Sequence, residues 1–173
     1  MTFPARTTLA KWARDNGWTA GAELGLSMGE TTFYLLERCP GLFLTCVDTF
    51  APVEGGDPVY RHEAWDHGRR ERAWKGRASG FGGRCKLMEM TTVAAAQHVA
   101  DGTLDFVYID ADHTFEGVSA GIEAWAPKLK PDGWMTGHDI DRAGVRAAVD
   151  YFYPEYLQIG LVWAVRHNRG NRR

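Results

Sequence analysis

Ten consecutive residues, Ala22-Glu23-Leu24-Gly25-Leu26-Ser27-Met28-Gly29-Glu30-Thr31, limit what this chain can fold into more than any other stretch. An apolar run meets a glycine, a short turn leads to a second glycine, and a helix-forming segment follows. The next apolar run, Leu42–Val47, ends in Asp48, about twenty residues beyond the first glycine. Strand, glycine turn, helix, strand and acidic stop is the order in which open α/β sheets build a nucleoside site. The carboxyl ends of parallel strands line a crevice, and a carboxylate after the second strand can accept both ribose hydroxyls. The spacing is E-x-G-x-x-x-G, not G-x-G-x-x-G. A pyrophosphate needs close backbone approach at two points, so the missing glycine favours a nucleoside without phosphates.

The remainder continues the alternation. Residues 7–16 suit a helix with Leu9, Trp12 and Ala13 on one face and Thr7 or Thr8 as its cap; a strand over 19–24 and a helix over 30–38 follow. Pro40-Gly41 stops that helix, and 42–47 reads as a strand buried on both faces. Further on, strands are expected at 85–88, 104–109 and 134–137, with helices at 92–100, 115–125 and 142–152, the last capped by Asp141. A turn is expected at 129–133, and Tyr156–His167 reads as two short strands or one bent at Gly160. Strands and helices that alternate in this way predict an α/β, Rossmann-like, mostly parallel twisted sheet of about seven strands with helices on both faces.

Residues 51–83 break the rhythm. Two glycine-rich loops flank a charged, aromatic stretch containing Tyr60, His62, Trp65, His67 and Trp74, helical around 63–74. The segment is too long for a simple connection, which leaves an ordinary surface crossover or a cap over the site. With 173 residues, one domain spanning 1–173 with this insertion is expected.

Bulk properties exclude several classes. A net charge of −2 argues against general nucleic-acid binding, and the basic tail His167–Arg173 reads as a solvated terminus. No apolar run approaches the ~20 residues of a membrane span. Met1–Arg6 has no apolar signal core, and Cys39, Cys46 and Cys85 form no C-x-x-C pair, as expected in the reducing cytoplasm.

A second constellation sits at two strand ends: Asp110-Ala111-Asp112-His113 after the fourth strand and Gly137-His138-Asp139 after the fifth. If those strands are neighbours, three carboxylates and two imidazoles gather at one mouth, joined by Glu23 and Asp48 on the same edge. Helix capping would account for one or two of these groups, such as Asp112; such crowding of titratable groups is a mark of functional sites.

The residues Glu23-x-Gly25-x-x-x-Gly29 with Asp48, the run Asp105–Val118, the turn Trp125–Gly133 and Gly137-His138-Asp139 together resemble class I S-adenosylmethionine methyltransferases. The likeness is to the small single-domain branch called the methyltransferase 24 family, near the macrolide-sugar and catechol O-methyltransferases, and covers roughly residues 19–140 apart from 51–83. It implies S-adenosylmethionine as cofactor, with Glu23 and Gly25 at its methionine end, Asp48 at the ribose, Met90 and Thr91 beside the adenine, and Gly29 and Asp110 also among the cofactor-binding residues. It also implies a divalent metal, Mg or Mn, on Asp110, His138 and Asp139. Relatives carry a carboxylate where this chain has His138. Because magnesium prefers oxygen donors, the imidazole points to another ion, or to His138 serving as a base without metal. The general base of the sugar-modifying relatives falls on His113.

The expected activity is O-methylation of a small hydroxyl-bearing acceptor, by one chain or a homo-oligomer. Three alternatives stay open at this level: a metal-independent N- or O-methyltransferase using His113 or His138, a non-catalytic nucleoside-binding subunit, and an NAD-dependent enzyme, which the single-glycine turn disfavours.

Overall fold

The computed structural model describes residues 5–52, 54–58 and 66–167. Tyr60, His62, Trp65 and most of the basic tail lie outside these. Seven strands form one sheet: β1 (Ala20–Leu24), β2 (Phe43–Asp48), β3 (Cys85–Glu89), β4 (Leu104–Ile109), β5 (Leu129–Gly137), β6 (Leu157–Ile159) and β7 (Val162–Arg166). Their order is β3-β2-β1-β4-β5-β7-β6. β1 to β5 run parallel, β7 is antiparallel to β5, and β6 pairs with β7 as a hairpin around Gly160. The strand order reverses between β1 and β4, and the carboxyl ends of those strands are where a parallel sheet opens its ligand crevice.

Period-two alternation of side chains divides the core. Phe106 and Tyr108 on β4, with Leu44 and Cys46 on β2, pack against α1 (Ala5–Asp15), α2 (Glu30–Arg38) and α3 (His67–Ala78). Val107 and Ile109 of the same β4, with Ala22 and Leu24 of β1, pack against α4 (Thr92–Ala96), α5 (Phe115–Trp125) and α6 (Ala143–Phe152). The bounds of α2, β4 and α5 match the sequence expectation.

Several local expectations are corrected. α1 starts at Ala5, and Thr8 is buried within it instead of capping it. α4 ends at Ala96, short of 100. The turn expected at 129–133 is absorbed into β5 as an irregularity, with Asp132 at φ +65° and the register to β4 shifting between Leu104 and Phe106. A bulge of this kind lets a turn-like sequence remain inside a paired strand. The cap of α6 is Arg142, with no side-chain bond, instead of Asp141. Thr114 caps α5, its hydroxyl accepting from the Gly117 N–H at 3.0 Å. Asp112 braces that cap, accepting from the Thr114 N–H at 2.8 Å. The expected loop 79–83 is a short 3-10 helix, Ser79–Arg84.

Candidate functional site

The floor of the site is backbone. The Gly25 N–H donates to the Val47 carbonyl at 2.8 Å and the Asp110 N–H to the Leu24 carbonyl at 2.8 Å, so the ends of β2, β1 and β4 are held together. Gly25 has φ +91°, and a Cβ there would lie 2.1 Å from the Asp110 carbonyl oxygen. Only glycine allows the turn to cross so close to the end of β4. Gly29, at φ +81°, is the N-cap of α2. It does not border the cleft. A Cβ there would stand 2.2 Å from the Phe33 ring, so this glycine shapes the turn from behind.

Asp48 fastens the same turn. One carboxylate oxygen accepts from the N–H groups of Leu26 (2.8 Å) and Ser27 (3.3 Å), the other from Phe50 (2.8 Å). A carboxylate offers about four acceptor positions, so these donors leave capacity for a ribose hydroxyl. Glu23 is 2% exposed and takes a 2.5 Å hydrogen bond from the Thr32 hydroxyl. That hydroxyl accepts in turn from the Trp74 indole at 3.3 Å. Burial, opposed by the Thr32 bond and reinforced by the carboxylates of Asp110 and Asp48, pushes Glu23 up to about 8.

The acidic and imidazole groups converge, but unequally. His113 Nε2 lies 2.9 Å from Asp139 Oδ2 and His113 Nδ1 lies 2.9 Å from Asp57 Oδ2. His138 Nδ1 sits 3.3 Å from Asp139 Oδ1 and 3.8 Å from Asp110 Oδ1. The bonds from both imidazoles hold Asp139 well below the usual carboxylate range. The bond to Asp139 is the leading cause that raises each histidine. Burial lifts Asp110 to about 6. Among the described residues, Asp110, His113 and Asp139 can each offer a donor atom within 4.8 Å of the others. The sequence pattern pointed to His138 for that third position. His138 is not among the residues that line the main cleft; it borders a small hollow with Asp110, His113, Val145 and Trp163.

The cleft has a volume of about 810 Å³ and is lined by Glu23, Gly25, Asp48, Met90, Thr91, Asp110, His113 and Asp139. Such a volume lies in the usual range for small-molecule sites. Ile109, Val93, Ala120 and Gly121 add an apolar wall beside Met90. The Thr91 hydroxyl is engaged in capping α4, accepting from the Ala94 N–H at 3.3 Å.

Described residues of the 51–83 segment, among them Asp57, His67 and Arg70, line part of the cleft. α3 begins at His67, its N-cap Asp66 accepting from the Arg69 N–H at 2.8 Å. Arg70 bonds the Ser27 hydroxyl of the β1–α2 turn. Trp74 is buried beside Phe33, ring centroids 5.6 Å apart. Sequence reasoning named no role for Thr32, Ser27, Arg70 or Asp57. Their partners lie 9 to 56 residues away, and for Arg70 and Asp57 alone the unusual composition of the segment gave a hint.

A family model described as a methyltransferase domain matches residues 22–140. An uncharacterized protein of Sinorhizobium fredii is 30% identical over 56 residues, 32% of this chain and 6% of that protein, so the chain spans only a small part of this curated relative. An O-methyltransferase from Bacillus cereus in complex with SAH superposes with a TM-score of 0.69 at 18% identity, over 94% of this chain and 80% of that one. The 1,6-didemethyltoxoflavin-N1-methyltransferase of Burkholderia thailandensis, bound to 1,6-didemethyltoxoflavin and S-adenosylhomocysteine, gives 0.58 at 16% identity over 95% and 79%.

Proposed function

Because the chain belongs to the methyltransferase-domain family, we propose that it is an S-adenosylmethionine-dependent methyltransferase that methylates a hydroxyl of a small acceptor, with His113 as proton acceptor. The observation that carries this reading is a single cleft lined both by Glu23, Gly25 and Asp48 and by His113 and Asp139. When bound, the cofactor supplies a methyl group already activated on a sulfonium, so the residues mainly align two reacting atoms. Asp48, held by three backbone donors, keeps acceptor capacity for the ribose. Gly25 leaves the floor open for the methionine end. Met90 and the apolar wall suit a purine face. His113, which lines the cleft, is the group that takes the acceptor proton, on Nε2 once the acceptor hydroxyl replaces Asp139 as the partner of that nitrogen. We also assign the chain one domain with 51–83 as its cap. We place its work in the cytoplasm: Cys39, Cys46 and Cys85 are unbridged, and among the described residues no helix is long and apolar enough to cross a membrane.

Calorimetry tests the cofactor half. S-adenosylmethionine or its demethylated product should bind and NAD should bind far less. Asp48→Ala should weaken cofactor binding by about 1.5–3 kcal/mol, the scale of hydrogen bonds to a charged group. Tighter binding of NAD would sink the reading. A panel of hydroxyl and amine acceptors, with products identified by mass, tests the transfer and separates O- from N-methylation.

A second reading is favoured by the mutual reach of Asp110, His113 and Asp139. Their mixed oxygen and nitrogen donors fit Mn²⁺, Fe²⁺ or Zn²⁺ better than Mg²⁺. An ion held there would acidify an acceptor hydroxyl. On this reading Mn²⁺ raises the melting temperature of the protein by several degrees, as expected for saturation of a native-state site. Asp139→Ala removes that response and leaves cofactor affinity nearly unchanged. Melting curves that ignore Mn²⁺, Zn²⁺ and Mg²⁺ alike would leave His113 acting without metal.

A further inference from the structure

Arg70 brings a guanidinium to the glycine turn of the cleft from outside the sheet. Its helix, α3, lies in the 51–83 segment, apart from the motifs that carry the family resemblance. Trp74 docks that helix: it is 2% exposed, and its indole reaches the Thr32 hydroxyl of α2 at 3.3 Å. Arg70 stands one turn earlier on the same helix face, because residues four apart are neighbours. Its half-buried guanidinium bonds the Ser27 hydroxyl, and both residues line the cleft. Ser27 has φ +50°, a left-handed conformation that residues with a side chain rarely adopt. Backbone held in such a region clusters at ligand clamps.

Charge gives that guanidinium a task. Glu23, Glu30 and Asp48 flank the glycine turn and line the cleft. Such an acidic wall suits the ammonium of a methionine moiety and repels its carboxylate unless a cation stands among the acids. Among the described residues, Arg142 is the other arginine lining the cleft, and its backbone N–H is tied to the Asp139 carbonyl, on the His113 side. We propose that Arg70 is the carboxylate anchor of the cofactor: its guanidinium, steadied by Ser27, binds the carboxylate of the methionine moiety of S-adenosylmethionine. A guanidinium presents five donors in a planar fork, so it can hold Ser27 with one and meet both carboxylate oxygens with others. A lysine there would supply the charge without the fork. The sheet thus provides the floor and the ribose acceptor, and α3 provides the counter-charge that tells a zwitterionic nucleoside from a bare one. Arg70 has this role only in a cleft that takes S-adenosylmethionine, so the assignment rests on the cofactor reading above.

Calorimetry on the full chain with two probes tests it. S-adenosylhomocysteine carries both the ammonium and the carboxylate; S-adenosyl-3-thiopropylamine keeps the ammonium and lacks the carboxylate. The wild type should bind the first at least about tenfold more tightly. Arg70→Ala should weaken S-adenosylhomocysteine about 10- to 100-fold, the scale of a hydrogen bond to a charged group, and bind the amine no more weakly than the wild type does. Arg70→Lys should recover part of the loss, and Ser27→Ala should weaken S-adenosylhomocysteine alone, by a few fold. Retained affinity for the amine also shows that each variant is folded. Equal weakening of both probes would make Arg70 a tether of the turn and overturn the proposal. A wild type that binds both probes alike overturns it without any variant. Tight binding of S-adenosylhomocysteine that ignores Arg70→Ala overturns the anchor and leaves the cofactor reading standing. Failure of the wild type to bind either probe sinks the cofactor reading, and the anchor with it.

Discussion

Gly25→Ala should destabilise the protein by about 3–5 kcal/mol, combining backbone strain at positive φ with overpacking. The steric part is concrete: the new methyl would meet the Asp110 carbonyl oxygen at 2.1 Å and the Ala111 Cα at 2.8 Å. These atoms are backbone at the end of the central strand, so they can yield only if β1 and β4 separate. At roughly 2–4 °C per kcal/mol for a chain of this size, the melting temperature should fall by about 10 °C. Cofactor binding should be lost even in the folded fraction, because the turn that carries Leu26 and Ser27 to Asp48 would shift. Gly17→Ala is the control. Gly17 also has positive φ, at +64°, but open space where a Cβ would stand. It should cost only about 1 kcal/mol. Equal losses at the two positions would mean that the close approach to Asp110 does not matter.

Glu23→Gln should change how stability depends on pH. In the folded protein Glu23 titrates near 8, chiefly because it is buried; unfolded, it returns to its ordinary value of 4.5. Between these values the unfolded chain has released a proton that the folded chain retains. The unfolded state therefore binds fewer protons, and stability falls as pH rises through the window from about 4.5 to 8. Each step of one in pH across that window costs at most about 1.4 kcal/mol, so this group should remove about 2–4 kcal/mol between pH 5 and pH 8. Glutamine preserves the shape and can still bond the Thr32 hydroxyl, yet has nothing to titrate. Urea unfolding of both proteins at pH 5 and pH 8 measures the difference. The variant should lose less stability than the wild type, and parallel curves would show that Glu23 ionises in the folded protein as it does in water.

Much of the scaffold was readable from local chemistry. The strand, glycine turn, helix and acidic stop at 20–48 followed from periodicity and from what glycine permits. The same holds for the bounds of α5, although its cap is Thr114 and not the Asp112 that the sequence offered, and for β4, where Phe106–Ile109 is an apolar run covered on both sides. Asp132 and Gly133 misled because turn residues also serve in a bulge, and only the partner strand decides between the two. Asp141 looked like a helix cap, but the Arg142 N–H bonds the Asp139 carbonyl at 2.8 Å and moves the start of α6 on by one turn residue.

The aim of the catalytic groups was decided by tertiary structure. Sequence placed Asp110, His113, His138 and Asp139 at adjacent strand ends, but it could not say which would face the cleft. The chain turns at Asp139, with φ +52°, so that Asp139 meets His113 and lines the cleft, while His138 reaches Asp139 at 3.3 Å without lining that cleft. Asp57 was no more than a loop acid until the fold carried it 56 residues along the chain to His113. A residue's type and its strand are set by local sequence. Its partners depend on strand order, turn dihedrals and the path of a loop, and these exist only once the sheet has closed.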